Sequence, residues 1–173
     1  MTHDHTQHEH ILKDLLSADP EKVIELLEEL RVSGKTTDIP VLLEMLHISQ
    51  DKEIKSKMHS LFANLKDKDT IPLIIAAIQN ERYAPELKQL VSCCWENGLD
   101  YTPYLSLFVD LLIESDFLVA FEAYTVITNM TVTIEQAKID LEIEKLDRAL
   151  PNTSEEKKVL MLDVVDFLPS IGN

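Results

Sequence analysis

Four of the six histidines, His3, His5, His8 and His10, fall within the first ten residues as H-x-H-x2-H-x-H. Imidazole is a common ligand for Zn²⁺, Ni²⁺ and Cu²⁺, and this spacing lets an extended chain bring two or three rings to one ion. A durable metal site also needs a folded frame and outer partners that orient each ring. Residues 1–7 therefore read first as a disordered His-rich tail with incidental metal affinity. The second reading is a metal-handling or enzyme-accessory role carried by the same four residues.

The remaining reactive groups offer little chemistry. Cys93 and Cys94 are the only thiols. Neighbouring positions on a helix diverge by about 100°, so the pair cannot meet the geometry of a disulfide. Cys94 is expected in the core and Cys93 at its edge. The chain contains no G-x-x-x-x-G-K-[ST], G-x-S-x-G, H-E-x-x-H or C-x-x-C pattern, so no catalytic residue is nominated and no cofactor is expected. With 31 acidic side chains against 16 Lys and Arg, paired carboxylates occur too readily to mark general acid–base machinery.

The charge itself is informative. The formal net charge is −15, and no Lys or Arg lies between Lys88 and Lys138, a stretch holding Glu96, Asp100, Asp110, Glu114, Asp116, Glu122 and Glu135. Such a surface repels nucleic acid and favours a basic protein or peptide partner. The longest apolar run, Ile71 to Ile78, includes Pro72 and falls well short of the roughly 20 residues a membrane span needs. Lys13 and Asp14 interrupt the first hydrophobic run, so no secretory leader is read and a cytoplasmic protein is expected.

The elements that would carry these groups are read from hydrophobic spacing. Apolar residues at i, i+4, i+7 and i+8 form one helix face, and this pattern returns about every 32 residues: Ile54, Met58, Leu61, Phe62; Leu87, Val91, Cys94, Trp95; Val119, Ala123, Val126, Ile127. Asn64, Asn97 and Asn129 hold one phase behind it, and Ile39-Pro40, Ile71-Pro72 and Thr102-Pro103 recur ahead of it. Proline suits the first helical turn, where its missing N–H costs nothing, and asparagine tolerates the left-handed conformation at a helix end. Asp19-Pro20, Ala84-Pro85 and Asp116 open second helices, and Gly34 and Gly98 follow helix ends.

Weaker copies occur at both ends, with Val23, Leu27 and Leu30 upstream and Leu160, Val164, Phe167 and Leu168 downstream. Their partner helices are expected over His8 to Ser17 and from Ile134 and Glu135 to Leu150. The β-branched segment 131–134 lacks an evident pairing partner and reads as a turn. Trp95 is expected in the core, so that Trp95→Ala costs about 3–5 kcal/mol.

Helical pairs of this length, opened by proline and closed on an apolar second helix, resemble the HEAT-repeat family in its short bacterial-type form. The run Asp67-Lys68-Asp69 and Asp100 echo that family's aspartate, while its recurring basic residue is missing, which leaves armadillo-like or unclassified α-solenoids open. The resemblance implies an all-α right-handed α-α superhelix of about five HEAT-like hairpins, forming one repeat domain over residues 8–173. HEAT-like hydroxylases build a di-iron site from repeated His-Glu pairs, and here His8-Glu9 stands by itself. The basic groove of HEAT-like DNA glycosylases is absent. What remains is a non-catalytic scaffold or adaptor. In such folds the second helices line the binding face, which nominates His59, Glu96 and Tyr124, with Ser92 and Cys93 in the same rows, and Asp116 and Glu122 as acidic contributors. No nucleic acid and no membrane is expected as partner.

Overall fold

The computed structural model describes residues 19–33 and 35–173. The described residues form nine α-helices linked by short 3₁₀ turns and by no sheet strand. They divide into two compact units, one ending at Leu90 and the other running from Val91 to Asn173. The tail and the first partner helix, with His3, His5, His8 and His10, lie outside the described residues, as does Gly34.

In the N-terminal unit the helices are α1 (Pro20–Ser33), α2 (Ile39–Ile48), α3 (Lys52–Ala63) and α4 (Ile71–Ile78). α1 packs on α3, and α2 packs on both α3 and α4. The expected stripes are buried: Val23, Leu27 and Leu30 on α1, and Ile54, Met58, Leu61 and Phe62 on α3. α3 starts where Asp51 accepts hydrogen bonds from the N–H groups of Glu53 (2.8 Å) and Ile54 (3.1 Å), which satisfies two orphan donors of the first turn. Pro40 and Pro72 sit in the first turns of α2 and α4. The carboxylate of Glu86, in the turn Glu81–Glu86, is buried and faces His47 Nδ1 at 3.0 Å and Lys55 Nζ at 3.5 Å.

α5 (Leu87–Glu96) ends in the C-terminal unit, followed by α6 (Leu105–Glu114), α7 (Phe117–Thr128), α8 (Gln136–Ala149) and α9 (Glu155–Phe167). α6 packs on α7 and α8, and α9 packs on α6, α7 and α8. α6 thus lies beside α8, and α7 beside α9. Two lysines tie these helices together. Lys145 of α8 bridges Asp110 (2.8 Å), Ser106 (2.9 Å) and the buried Glu142 (2.9 Å). Lys157 of α9 donates to the carbonyls of Ile113 (2.6 Å) and Ser115 (2.8 Å), closing the C-terminal end of α6, where a cation also suits the helix dipole.

Four expectations are corrected here. Trp95 is not a core residue: it is 39% exposed, whereas Leu90, Val91, Cys93 and Cys94 are buried. α5 is therefore turned so that Cys93, expected at the edge, faces inward with Ser92. The recurring asparagines do not adopt left-handed backbone, since the described residues with positive φ comprise Gly98 at 68° and no other type. Their side chains act instead. Asn64 Nδ2 donates to Ser60 O (2.7 Å) and Asn129 Nδ2 to Thr125 O (2.8 Å), capping the last-turn carbonyls of α3 and α7. Buried Asn97 accepts from Leu99 N–H (2.9 Å) and donates to Tyr101 Oη (3.0 Å), and Gly98 supplies the turn there. Finally, segment 131–134 does have a partner. Ile134 N–H donates to Ile171 O (2.8 Å) and Asn173 N–H to Ile134 O (3.1 Å), so the C-terminal residues pair with it in parallel.

The burial pattern separates two positions that the repeat makes equivalent. Phe62→Ala should lower unfolding free energy by about 3–5 kcal/mol. Trp95→Ala should cost roughly 1 kcal/mol, as expected of a side chain that keeps much of its surface in water. Urea denaturation of both variants would separate these outcomes.

Candidate functional site

α7 has the sequence Phe117 to Thr128, FLVAFEAYTVIT, and carries one charged residue, Glu122. Its inner side is Val119, Ala120, Ala123, Val126 and Ile127, all buried. The apolar residues left over point outward. Phe117 is 40% exposed, Leu118 58% and Phe121 45%. Phe117 and Phe121 lie 6.3 Å apart between ring centroids, and Phe121 and Tyr124 6.0 Å apart, both pairs tilted by 36°. Positions i, i+4 and i+7 of the helix thus form a ladder of three rings, within the range where aromatic pairs attract.

Carboxylates border the ladder on both sides. On one side Trp95 Nε1 donates to Glu122 Oε2 at 2.9 Å, linking α5 to α7. On the other, Tyr124 Oη donates to Asp163 Oδ2 at 2.6 Å, linking α7 to α9. The Asp163 carboxylate, by accepting that hydrogen bond, raises the Tyr124 pKa above its ordinary value, with burial and the negative charge adding to the effect. α9 also carries exposed Val159, Leu162 and Asp166.

A cleft of about 170 Å³ opens beside this face, lined by Trp95, Gly98, Asp100, Tyr101, Met130 and Val132 among others. Asp100 accepts from Thr102 N–H at 2.9 Å, which fixes its carboxylate at the rim. Cys94 also reaches the cleft, but burial pushes its pKa up to about 12 and pushes the Cys93 thiol up as well. Neither is the accessible thiolate that nucleophilic chemistry requires.

The residues nominated from sequence take distinct places. Glu122 and Tyr124 stand at the two edges of the aromatic ladder, half-buried and hydrogen-bonded as described. Glu96 is the half-buried last residue of α5, adjacent in the chain to Trp95. Asp116 caps α7, accepting from Val119 N–H at 3.0 Å. His59 is half-buried on α3 of the N-terminal unit. Ser92 and Cys93, placed in the same rows, are buried. Sequence reasoning passed over Phe117, Phe121 and Asp163, and assigned Trp95 to the wrong side. The signal available was the surplus of apolar residues on α7 beyond its core stripe, since a helix apolar all round has more than one face to satisfy.

No family model matches the chain, and no curated protein matches it. A search of solved structures finds it similar to a crystal structure of an engineered protein from the Northeast Structural Genomics Consortium, at 19% identity over 98% of this chain and 82% of that chain, with a TM-score of 0.45. Among the described residues no group of three or more His, Cys, Asp and Glu side chains converges as a metal site would, and no helix is long and apolar enough to cross a membrane.

The buried thiols make a direct prediction. At pH 8 the native protein should leave Cys93 and Cys94 unmodified by a dithionitrobenzoate reagent, and both should react after unfolding in guanidinium. Because the folded-state pKa values are raised, their contribution to stability is complete below the ordinary thiol pKa of about 8.5 and is lost as pH rises toward the folded value. A shallow alkaline destabilisation from about pH 8.5 upward should accompany the protection.

Proposed function

We propose that this chain is a non-catalytic protein-interaction module built of HEAT-like helical hairpins, and that the outward face of α7 docks a basic, amphipathic segment of another protein. The observation that carries this reading is the aromatic ladder of exposed Phe117 and Phe121 with half-buried Tyr124, on a stretch of sequence without Lys or Arg and bordered by Glu122 and Asp163. Exposed, contiguous apolar surface with a polar rim is the signature of a binding patch, and aromatic residues are the usual anchors of one.

Charge selects the class of partner. Two copies of a chain with net charge −15 would bring like-charged rims together, which opposes self-association through this face. A partner carrying Lys or Arg between apolar residues would satisfy both rings and carboxylates. The hairpin reading draws support from a recurring device: Asp67 and Asp100 each accept the N–H two residues onward, at 2.9 Å in both cases, ahead of the first helix of a pair. It draws further support from the side-by-side packing of α6 with α8 and of α7 with α9.

Selection of binders from a displayed random peptide library tests this. Enriched sequences should combine Lys or Arg with Leu or Phe, and their binding should fall steeply between 0.05 and 0.5 M salt, because exposed charges are screened within about 10 Å at 0.1 M. Phe121→Asp, at an exposed position, should abolish that binding while leaving the helical circular dichroism unchanged. Peptides without basic enrichment, or binding that survives Phe121→Asp, would overturn the assignment.

A further inference from the structure

The cleft beside Trp95 has features that the aromatic ladder does not explain. It is bounded by the end of α5, the turn through Gly98 to Tyr101, and the end of α7 with the residues that follow it. Trp95 is both the wall of this cleft and a neighbour of the ladder, through its bond to Glu122. Indole has a single polar atom, Nε1–H, and Glu122 occupies it. What Trp95 offers a ligand is therefore its π surface, 39% of the residue being exposed.

The polar groups of the cleft are equally one-sided. Tyr101 is buried, and its hydroxyl is engaged by Asn97. Asn129 spends its amide N–H on the Thr125 carbonyl. The charged residue in the lining is Asp100, exposed at the rim and held there by Thr102 N–H. Glu122 stands at the N–H edge of the indole, and no Lys or Arg occurs in sequence from position 89 to 137. An indole surface, a rim carboxylate and a second carboxylate at the ring's edge make up a receptor for a cation.

The geometry points to this cleft as the subsite for one arginine side chain of the docked partner, its guanidinium on the Trp95 ring and paired with Asp100. This rests on the docking reading of the α7 face and deepens it by naming the anchor. Arginine fits better than lysine because the guanidinium is planar, stacks on aromatic faces, sheds water more readily and presents a fork of donors to a carboxylate. A cleft of about 170 Å³ holds such a group together with part of its alkyl stem.

Trp95 is the sole tryptophan, so its fluorescence reports the subsite directly. The probes are a nonapeptide alternating Leu and Arg and its twin with citrulline at every Arg position, which keeps shape but removes charge. With the full-length chain, the arginine peptide should change Trp95 emission saturably, and the citrulline twin should bind about tenfold or more weaker, the factor expected when roughly 1.4 kcal/mol of cation recognition is lost. Asp100→Asn, which retains an oxygen to accept from Thr102 N–H, should weaken the arginine peptide about three- to fivefold. Calorimetry separates the possible failures. Binding with heat but without change in Trp95 emission, or with equal affinity for Asp100→Asn, overturns the arginine subsite and leaves the docking face standing, whereas equal affinity for the citrulline twin overturns both, since each requires a basic partner. No heat with either peptide up to millimolar concentration, on protein with intact helical signal, overturns both.

Discussion

The C-terminal unit depends on how closely α7 lies against α6 and α9. Ala120 and Ala123 at the centre of its buried side keep that approach short, and Val119, Val126 and Ile127 fill the space around them. Small residues in such a seam allow neighbouring helices to pack to interior density. Since the inner side is already complete, Phe117, Leu118 and Phe121 have no room inward and must project to solvent. The exposed ladder is a consequence of that packing, because the same helix carries more apolar residues than one face can bury.

Polar groups then hold this arrangement in register. Trp95 with Glu122 joins α5 to α7, and Tyr124 with Asp163 joins α7 to α9. Lys145, between Asp110 and Glu142, joins α8 to α6. Lys157 fastens α9 to the end of α6. A partly buried cation that satisfies two carboxylates or two carbonyls is specific in geometry, since removing it leaves a buried acceptor unmatched. These ties set which helix sits beside which, while the apolar seams supply most of the driving force.

In the proposed docking role the same residues would serve both stability and recognition. Glu122 fixes the indole edge and contributes negative charge, and Asp163 orients Tyr124 while acidifying the far rim. A carboxylate already positioned by a neighbouring donor loses little freedom when a cation arrives, which is the general advantage of a preorganised surface. Exposure of aromatic rings is costly in solubility terms, and the surrounding acidic surface offsets it.

Sequence by itself determined the helical class, the order of helices and most of their core stripes. Hydrophobic spacing of about 3.6 residues is a local property, so Ile54, Met58, Leu61 and Phe62, and Val119, Ala123, Val126 and Ile127, could be placed inward without knowing any neighbour. Helix starts at Pro20, Pro40, Pro72 and Asp116 were legible for the same reason, because capping and proline chemistry act within one turn. Glu96, Glu122 and Tyr124 could be named as outward candidates, but not what they bond. Tertiary structure decided the rotation of α5, which turned Trp95 outward and Cys93 inward, and it decided that Asn97 would bind Tyr101. It also brought residues 171–173 back to Ile134. Each of these depends on contacts with another segment of the chain, and a periodic pattern that fits two rotations of a helix is resolved by the neighbours against which it packs.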